Sequence, residues 1–329
     1  MHAPDGFLTV PAAVGTGLIS AGAVGAALRQ SREQLGEQQV PLAGLTAAFV
    51  FAAQMVNFPV AAGTTGHLMG GALAAVLLGP WVGLLVVSVV VIVQALVFAD
   101  GGISALGYNL INMAVVTSLG GWGVFRLGRR VLPKTRVGVA VAAGLAGGAS
   151  VVISAMAFSL EWLVGASVPV AFDRVFGAMV GVHTLIGIGE GAITGLAVAA
   201  VLASRPDLVT GAVGLEPPRG PRTRVRPFAI GAVVVSLLVA AVVAQFAVDD
   251  PDGLERVAED TGFAASAQDH PLGNSIFADY ATAGVADEST SLAIAGISGT
   301  LLTLAVGGGL FSAVRRRGPS TSSPTQPVG

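Results

Sequence analysis

The chain has no cysteine and only one lysine among its 329 residues. Without cysteine it has no disulfide bond, no thiolate nucleophile and no cysteine-based metal site. A phosphate-binding loop of the form GxxxxGK[ST] needs a lysine directly after glycine, whereas Lys134 follows Pro133. The HExxH pattern of zinc hydrolases is also missing. The chain is therefore predicted not to hydrolyse ATP itself and not to be an enzyme.

Charged residues are scarce as well. They make up 11% of the chain, whereas 53% of the residues are hydrophobic and the mean hydropathy is +0.78. Soluble domains carry about 25% charged residues, so this composition predicts an integral membrane protein. The chain has 46 glycines, which suit helices that pack closely in lipid. The expected fold class is all-α, because about 20 apolar residues cross a bilayer as a helix.

Nine apolar runs are read as membrane spans, near 8–28, 42–61, 68–79, 81–98, 104–125, 137–160, 174–203, 227–247 and 290–313. The third run is short, and 68–98 is alternatively one long tilted helix. We divide it at Gly79–Pro80, because proline breaks a helix and disfavours a helical conformation in the residue before it. The predicted architecture is a seven-helix bundle followed by a C-terminal two-helix hairpin.

The basic residues predict the orientation in the membrane. With nine spans, all of the 17 basic residues except Arg174 and Arg256 fall on one side. The positive-inside rule places that side in the cytoplasm. A single span over 68–98 would separate Arg29 and Arg32 from the later basic loops. We therefore expect a multi-pass protein of the cell (cytoplasmic) membrane, in contact with lipid, with the amino terminus outside and the carboxyl terminus in the cytoplasm.

The chain divides into four segments. Residues 1–204 form the seven-span body, and 205–226, rich in proline, glycine and arginine, are a cytoplasmic linker. Residues 227–313 form the hairpin around an external segment, 249–288, which holds ten carboxylates. This segment is either a solvated surface or a device that concentrates cations by electrostatic steering. The tail, 314–329, has the composition of disorder.

Two of the four histidines are predicted to form a metal site with the amino terminus. A histidine at position two offers one ion the amine of Met1, the deprotonated amide nitrogen of His2 and a His2 imidazole nitrogen. This planar nitrogen set favours Ni(II) or Cu(II), with affinity rising from cobalt to nickel to copper. His67 is predicted to lie at the same face and to supply a fourth donor. Alternatively, His2 is incidental on a frayed terminus and His67 only caps or packs at a helix end.

A short motif occurs twice in predicted external segments, as PDGF at Pro4 to Phe7 and as PDGL at Pro251 to Leu254. In the first copy, proline and glycine favour a turn that folds the terminus back on the body. A repeat this short also arises by chance, and His270 in the external segment is only a weak ligand candidate.

Other polar residues within the predicted spans have two interpretations. His183 and Glu190 are seven residues apart on one helix face, and Glu190 is the only acidic residue placed inside a span. Ionisable groups at membrane depth often mark a functional pathway, and orienting His67 or Met1 is the functional role that we favour. The alternative is structural. Asn57 and Asn109 likewise either hold the bundle together through interhelical hydrogen bonds or contact the metal ligands.

Several long motifs resemble one family. They are MHAPDGFL at the start, AAQMVNFPV at 52–60, GTTGHLMGGALAAVLLGPW at 63–81, DGGISALGYNLINMAV at 100–115 and HTLIGIGEGAIT at 183–194. In this order they are similar to the CbiM/NikM family, the cobalt and nickel substrate-capture components of energy-coupling-factor transporters. The hairpin, with PDGLE at 251–255, resembles the CbiN/NikN-like two-span accessory subunit of these systems, here fused to the capture component.

The resemblance implies a site and partners. The ion would be held by Met1, His2 and His67, and Ala3 departs from the larger aliphatic residue expected at that position. The implied partners are a transmembrane scaffold subunit and two cytoplasmic ATPases. Neither a cofactor nor nucleic acid is expected, and Ni2+ or Co2+ is the transported substrate. The chain does not decide between the two ions.

Two alternatives to an ATP-driven importer stay open at this point. In one, the chain is a self-sufficient secondary transporter or channel for a divalent metal, in which His183 and Glu190 relay protons. In the other, it is a purely structural membrane subunit that binds no metal.

Overall fold

The computed structural model describes residues 1–36, 39–61, 63–215 and 224–316. The central part of the predicted linker, 216–223, and most of the predicted disordered tail, 317–329, lie outside the described residues. Residues 314–316, which we assigned to the tail, instead belong to the last helix. The described residues are mostly helical, with one short β-hairpin, so the predicted all-α fold class is confirmed.

Eight α-helices form the body: α1 (Val10–Gln34), α2 (Gln39–Gln54), α3 (Gly71–Leu78), α4 (Pro80–Val93), α5 (Leu106–Asn109), α6 (Gly121–Val131), α7 (Arg136–Gly165) and α8 (Phe172–Ser204). A π-helical turn, Gln94–Phe98, continues α4, and a longer one, Leu110–Gly120, joins α5 to α6. Counted as continuous stretches, these elements give the seven helices predicted for the body. Two short 3-10 turns, Pro206–Leu208 and Thr210–Ala212, follow α8.

The C-terminal hairpin consists of α9 (Val225–Ala241) and α11 (Glu288–Arg316). Between them lie a 3-10 turn at Val243–Phe246, the short helix α10 (Gly253–Thr261) and 3-10 turns at Ala264–Ser266 and Ala278–Tyr280. Within the described residues, seven helical stretches are long and apolar enough to cross a membrane: Val10–Glu33, Pro80–Phe98, Leu106–Val131, Arg136–Gly165, Phe172–Ser204, Val225–Phe246 and Glu288–Arg316.

The second and third predicted spans are shorter than expected. Helix α2 ends at Gln54, and the rest of the run that we assigned to residues 42–61 forms an antiparallel hairpin of β1 (Phe58–Ala61) and β2 (Thr64–Gly66). The prediction of helix to residue 61 was wrong because Pro59 lacks an amide hydrogen and pushes the preceding residue towards extended backbone. Helix α3 has only eight residues, all of them buried.

The predicted break at Gly79–Pro80 is present. Gly79 has a φ of +89°, which favours glycine, and Pro80 is the first residue of α4. The chain reverses here, and α3 packs directly on α4. A Cβ added at Gly83 would lie 2.6 Å from the backbone nitrogen of Ala75. The reversal leaves α3 inside the bundle and directs the loop that carries His67 to the end where α1 begins.

Small residues bring the long helices into backbone contact. Where α7 crosses α8, a Cβ added at Gly148 would lie 2.7 Å from the carbonyl oxygen of Gly187. Helix α11 approaches α2 in the same way, because a Cβ at Gly44 would lie 3.2 Å from the nitrogen of Gly308. Close packing of this kind holds helices together in lipid. The C-terminal hairpin is thus packed against the body along α2.

The predicted external segment folds back over one end of the body. Its backbone, together with that of Val248 just before it, makes hydrogen bonds with three separate body segments: Val248 N donates to Asn57 O at 3.1 Å, Thr65 N to Pro251 O at 2.9 Å, and Gln268 N to Asp5 O at 2.9 Å. Its Phe263 ring also packs 4.3 Å from the ring of Trp162 in α7. These contacts place the second PDG motif beside the amino terminus.

Candidate metal centre

The amino-terminal segment is buried inside the end of the bundle. Met1 is 4% exposed and Ala3 is 1% exposed. Asn109 in α5 bonds to both backbone groups of Ala3: Ala3 N donates to Asn109 Oδ1 at 2.9 Å, and Asn109 Nδ2 donates to Ala3 O at 3.0 Å. Gly102 N donates to the same carbonyl oxygen at 3.0 Å. The terminus is therefore held on both sides of His2, in contrast to the frayed end of the alternative interpretation.

The first PDG motif is the turn that fixes this segment. Gly6 has a φ of +94°, and the Tyr108 hydroxyl donates to Pro4 O at 3.0 Å. The Asp5 carboxylate accepts hydrogen bonds from Ser104 N and from Ser104 Oγ, each at 2.6 Å, and from Ile103 N at 3.1 Å. Asp5 therefore ties the turn to the loop that precedes α5. Our sequence analysis recognised the turn but not the partner of its carboxylate.

Two predicted nitrogen donors converge in this buried region. The amine of Met1 lies 3.2 Å from Nε2 of His67, which is 6% exposed. Nδ1 of His67 lies 3.1 Å from the carbonyl oxygen of Leu68. A carbonyl oxygen only accepts, so Nδ1 carries the hydrogen and Nε2 presents its lone pair towards the amine. The His67 ring is thus oriented as a ligand that acts through Nε2.

The His2 ring stacks on the His67 ring, with 5.2 Å between the ring centres and 21° between the planes. Nε2 of His2 lies 3.0 Å from Gln94 Oε1, and Nδ1 lies 3.3 Å from Asp100 Oδ1. Gln94 begins the π-helical turn that extends α4; such turns are frequent at functional sites. Burial lowers the pKa of His2 to about 4. The ring is therefore neutral near pH 7, the form that binds metal.

Asp252, in the second PDG motif, completes the cluster, and our sequence analysis missed it. It is the N-cap of α10, where its Oδ1 accepts from Leu254 N at 2.7 Å and from Glu255 N at 3.0 Å. Its Oδ2 contacts the amine of Met1 and lies 3.7 Å from Nε2 of His67. Burial raises the pKa of the Asp252 carboxyl, but the charge of the facing Met1 amine lowers it, and the pKa lies well below its usual range. The repeat of the PDG motif was the one sequence signal that pointed to it.

The residues that we predicted to orient the ligands have different positions. Asn109 holds Ala3, as described above. Glu190 accepts hydrogen bonds from Met69 N at 2.6 Å and from Gly70 N at 3.1 Å. It therefore fixes the turn that follows His67. Asn57 contributes its backbone carbonyl to the hydrogen bond with Val248, so its backbone helps to dock the external segment.

His183 reaches the cluster from α8. Its Nδ1 lies 2.8 Å from the carbonyl oxygen of Met179, one helical turn back. On its other side the ring lies against the start of α10, because a Cβ added at Gly253 would be 3.1 Å from Nε2 of His183. Together with Met1, His67 and Asp252 it lines a cavity of about 10 Å³, about the size of one water molecule.

The long apolar helices hold another acidic residue in addition to Glu190. Glu190 is not the only acidic residue in a long apolar helix, because Glu161 lies near the end of α7. Its Oε2 accepts a hydrogen bond from Asn112 Nδ2 at 2.7 Å. The Glu161–Asn112 pair is a polar contact between helices and is separate from the amino-terminal segment.

A larger open cavity of about 600 Å³ leads to the cluster. His2, His67 and Asp252 line its inner part, and most of the charged residues around it are acidic: Asp5, Asp100, Asp249, Glu255, Asp279 and Glu288. A cavity lined by one sign of charge raises the local concentration of the opposite ion. Within the described residues, no group of three or more His, Asp or Glu side chains is arranged to hold a metal ion.

Comparisons with known proteins identify the family of each part of the chain. A family model for CbiM, described as the cobalt uptake substrate-specific transmembrane region, matches residues 2–208. A PDGLE domain model matches residues 226–316. The fused nickel transport protein NikMN of Rhodobacter capsulatus is 36% identical over 248 residues, which are 71% of each chain.

Two further similarities cover the body. The cobalt transport protein CbiM of Geobacter sulfurreducens is 36% identical over 208 residues, which are 61% of this chain and 59% of that protein. A crystal structure described as a transition metal transporter is 29% identical, with a TM-score of 0.55 over 62% of this chain and 93% of its own. The chain thus belongs to the CbiM family of cobalt and nickel transport membrane proteins, with a PDGLE domain fused on its carboxyl-terminal side.

Proposed function

We propose that this chain is the substrate-capture component of an ATP-driven importer of the energy-coupling-factor type, and that it takes up Ni2+ or Co2+ through Met1, His2 and His67. The observation that carries the proposal is the buried approach of the Met1 amine to Nε2 of His67, at 3.2 Å. Two nitrogens bound at right angles to one ion, each about 2.05 Å from it, are about 2.9 Å apart. A shift of about 0.3 Å brings this pair to coordinating distance.

The chelate of the first two residues determines where the other donors lie. The Met1 amine and the His2 amide nitrogen close a five-membered ring with the ion, and the His2 imidazole occupies the next corner of the plane. His67 is then adjacent to the amine and opposite the amide nitrogen. To bind, the His2 ring must exchange its contact with Asp100, 3.3 Å from Nδ1, for the ion. Nε2 donates a hydrogen bond to Gln94 Oε1, which fixes the tautomer in which Nδ1 carries no hydrogen and has a lone pair for the ion.

The energy comes from other subunits in this proposal. The only lysine, Lys134, follows proline rather than the glycine of a phosphate-binding loop. The family resemblance implies a transmembrane scaffold subunit and two cytoplasmic ATPases, which would power the inward opening of the loaded site. The names of the relatives, which are nickel and cobalt transport proteins, support the substrate class. They do not distinguish between the two ions for this chain.

The proposed orientation has the metal site outside. Helix α1 starts next to the amino-terminal segment and carries Arg29 and Arg32 towards its far end. Its 25 residues span about 37 Å, which is more than the hydrocarbon thickness. Met1 and Arg32 then face opposite sides of the membrane, and the positive-inside rule assigns Arg32 to the cytoplasm.

The decisive experiment adds one residue ahead of Met1. An extra alanine displaces the chelating amine while every side chain stays in place. We expect calorimetric titration of the purified protein with Ni2+ to show loss of binding in the extended variant, and a marked loss in His67→Ala. An extended variant with the affinity of the unmodified chain would exclude the terminal chelate. Tryptophan fluorescence checks that each variant keeps its fold.

The dependence on partner subunits is tested separately. Uptake of Ni2+ or Co2+ is measured in cells that express the chain with and without the scaffold and ATPase subunits. We expect uptake only with the partners. Full uptake by the chain alone would favour a secondary transporter or channel with His183 and Glu190 as proton carriers. Both side chains already make hydrogen bonds to backbone groups, which favours structural roles for them.

A further inference from the structure

We propose that Asp252, supplied by the fused C-terminal hairpin, is a direct carboxylate ligand of the transported ion, in addition to the nitrogen donors of the body. This inference rests on the proposed function, since it concerns the same site. Its Oδ2 contacts the Met1 amine and lies 3.7 Å from Nε2 of His67. Three donor atoms from three distant parts of the chain therefore surround one position.

The distances are compatible with one ion. Two ligand atoms at about 2.05 Å from an ion are about 2.9 Å apart at right angles and about 4.1 Å apart on opposite sides. The separations of Nε2 of His67 from the Met1 amine, 3.2 Å, and from Asp252 Oδ2, 3.7 Å, both lie within this range. The Met1 amine and Asp252 Oδ2 are in direct contact, so they must separate to admit the ion once the amine has lost its protons.

The fold holds the Asp252 side chain in place. Its other oxygen, Oδ1, accepts hydrogen bonds from Leu254 N and Glu255 N, so that Asp252 is the N-cap of α10. In return, Asp252 N donates to Glu255 Oε2 at 3.0 Å. This capping box leaves only Oδ2 free to face the site. On the body side, Thr65 Oγ1 donates to Asp250 O at 2.8 Å. The loop of the hairpin is therefore attached two residues before the proposed ligand.

A carboxylate ligand has a specific chemical consequence. The deprotonated amide of His2 and the divalent ion together leave one net positive charge in a buried region, and Asp252 neutralises it. The oxygen also raises the coordination number above the four nitrogens of a planar set. A site with an additional oxygen ligand departs from the square-planar set that suits Ni2+ and Cu2+, and coordination geometry is one of the means by which sites select among these metals. The fused hairpin would thus contribute to selectivity.

The test replaces Asp252 by asparagine in the full-length protein. Asparagine is as good an N-cap as aspartate, so α10 is retained. The control is Glu259→Gln, which removes one carboxylate from the exposed side of the same helix. Affinities for Ni2+ and Co2+ are measured by competition with a chelator, and the visible absorption spectrum of bound Co2+ reports the donor set. Fluorescence of Trp162, which packs on Phe263, checks that the external segment stays docked.

We expect Asp252→Asn to lower the affinity by about 10-fold or more and to change the Co2+ spectrum, whereas Glu259→Gln changes neither. An unchanged affinity, or a lower affinity with an unchanged spectrum, would overturn the proposal, because a mere counter-charge alters the spectrum little. If the unmodified protein binds neither ion, the proposed function itself fails. If it binds both normally and only the Asp252 result is negative, the failure concerns this inference alone.

Discussion

Replacing Asn109 by alanine removes the side chain that holds the amino-terminal segment without touching a proposed ligand. Asn109 makes two hydrogen bonds to Ala3, at 2.9 and 3.0 Å. Ala3 O keeps a second donor in Gly102 N, but Ala3 N is left without its partner. A buried donor without a partner costs about 1–3 kcal/mol. If the segment can undock without unfolding the bundle, this cost appears as weaker metal binding.

The corresponding loss of Ni2+ affinity is about 5- to 150-fold, because each 1.4 kcal/mol is about a factor of ten. Calorimetric titration measures it directly. The matched control is Asn112→Ala, which lies one turn further along the same helical stretch and bonds to Glu161 instead. We expect Asn112→Ala to lower thermal stability with little effect on affinity. Unchanged affinity in Asn109→Ala, or an equal loss in both variants, would refute the argument that docking of the segment supports binding.

Three other predictions follow from the same geometry. Burial lowers the pKa of His2 from 6.5 to about 4. The docked form of the amino-terminal segment therefore loses stability as the pH falls from about 6.5 towards 4. Hydrogen exchange at the Ala3 amide, corrected for the intrinsic rate, should be faster at pH 4.5 than at pH 7. In Gly253→Val the added Cβ would lie 2.5 Å from Ile186 Cδ1, so either the Ile186 side chain or α10 must shift, with a cost of about 1–3 kcal/mol that lowers the melting temperature. In Glu190→Ala two buried amides lose their acceptor, which should lower stability markedly. Glu190→Gln keeps one acceptor oxygen and should lose less stability. Equal losses in the two variants would argue against a role of Glu190 as the acceptor that fixes the turn after His67.

Much of the bundle could be predicted because membrane helices leave local signals. Runs of apolar residues locate the long helices, and Gly79–Pro80 marks a reversal because both residues have restricted or unusual backbone preferences. The same rules failed over residues 55–61, where an apolar run continues through a β-hairpin. Hydropathy does not distinguish an apolar strand such as β1, which is half-buried to exposed, from the end of a helix.

The site could be predicted only in part, for a different reason. His2 and His67 stand out because histidine is rare in this chain and because position two has a special chelating chemistry. Asp252 gave no comparable signal, since it is one of ten carboxylates in an acidic segment and lies 251 positions from Met1. Charge patterning alone describes such a segment as a solvated surface.

By itself the sequence determined the membrane class, the helical architecture, the absence of an ATP-binding loop and the candidate nitrogen donors at the start of the chain. Each of these depends on composition, on local backbone preference or on chemistry within a few consecutive residues. Only the tertiary structure decided that the terminus is buried, that Asn109 and Asp5 hold it, and that Asp252 from the hairpin contacts the amine. These contacts join residues far apart in the chain, and the packing of the hairpin on the body, through α2 and the external segment, brings them together.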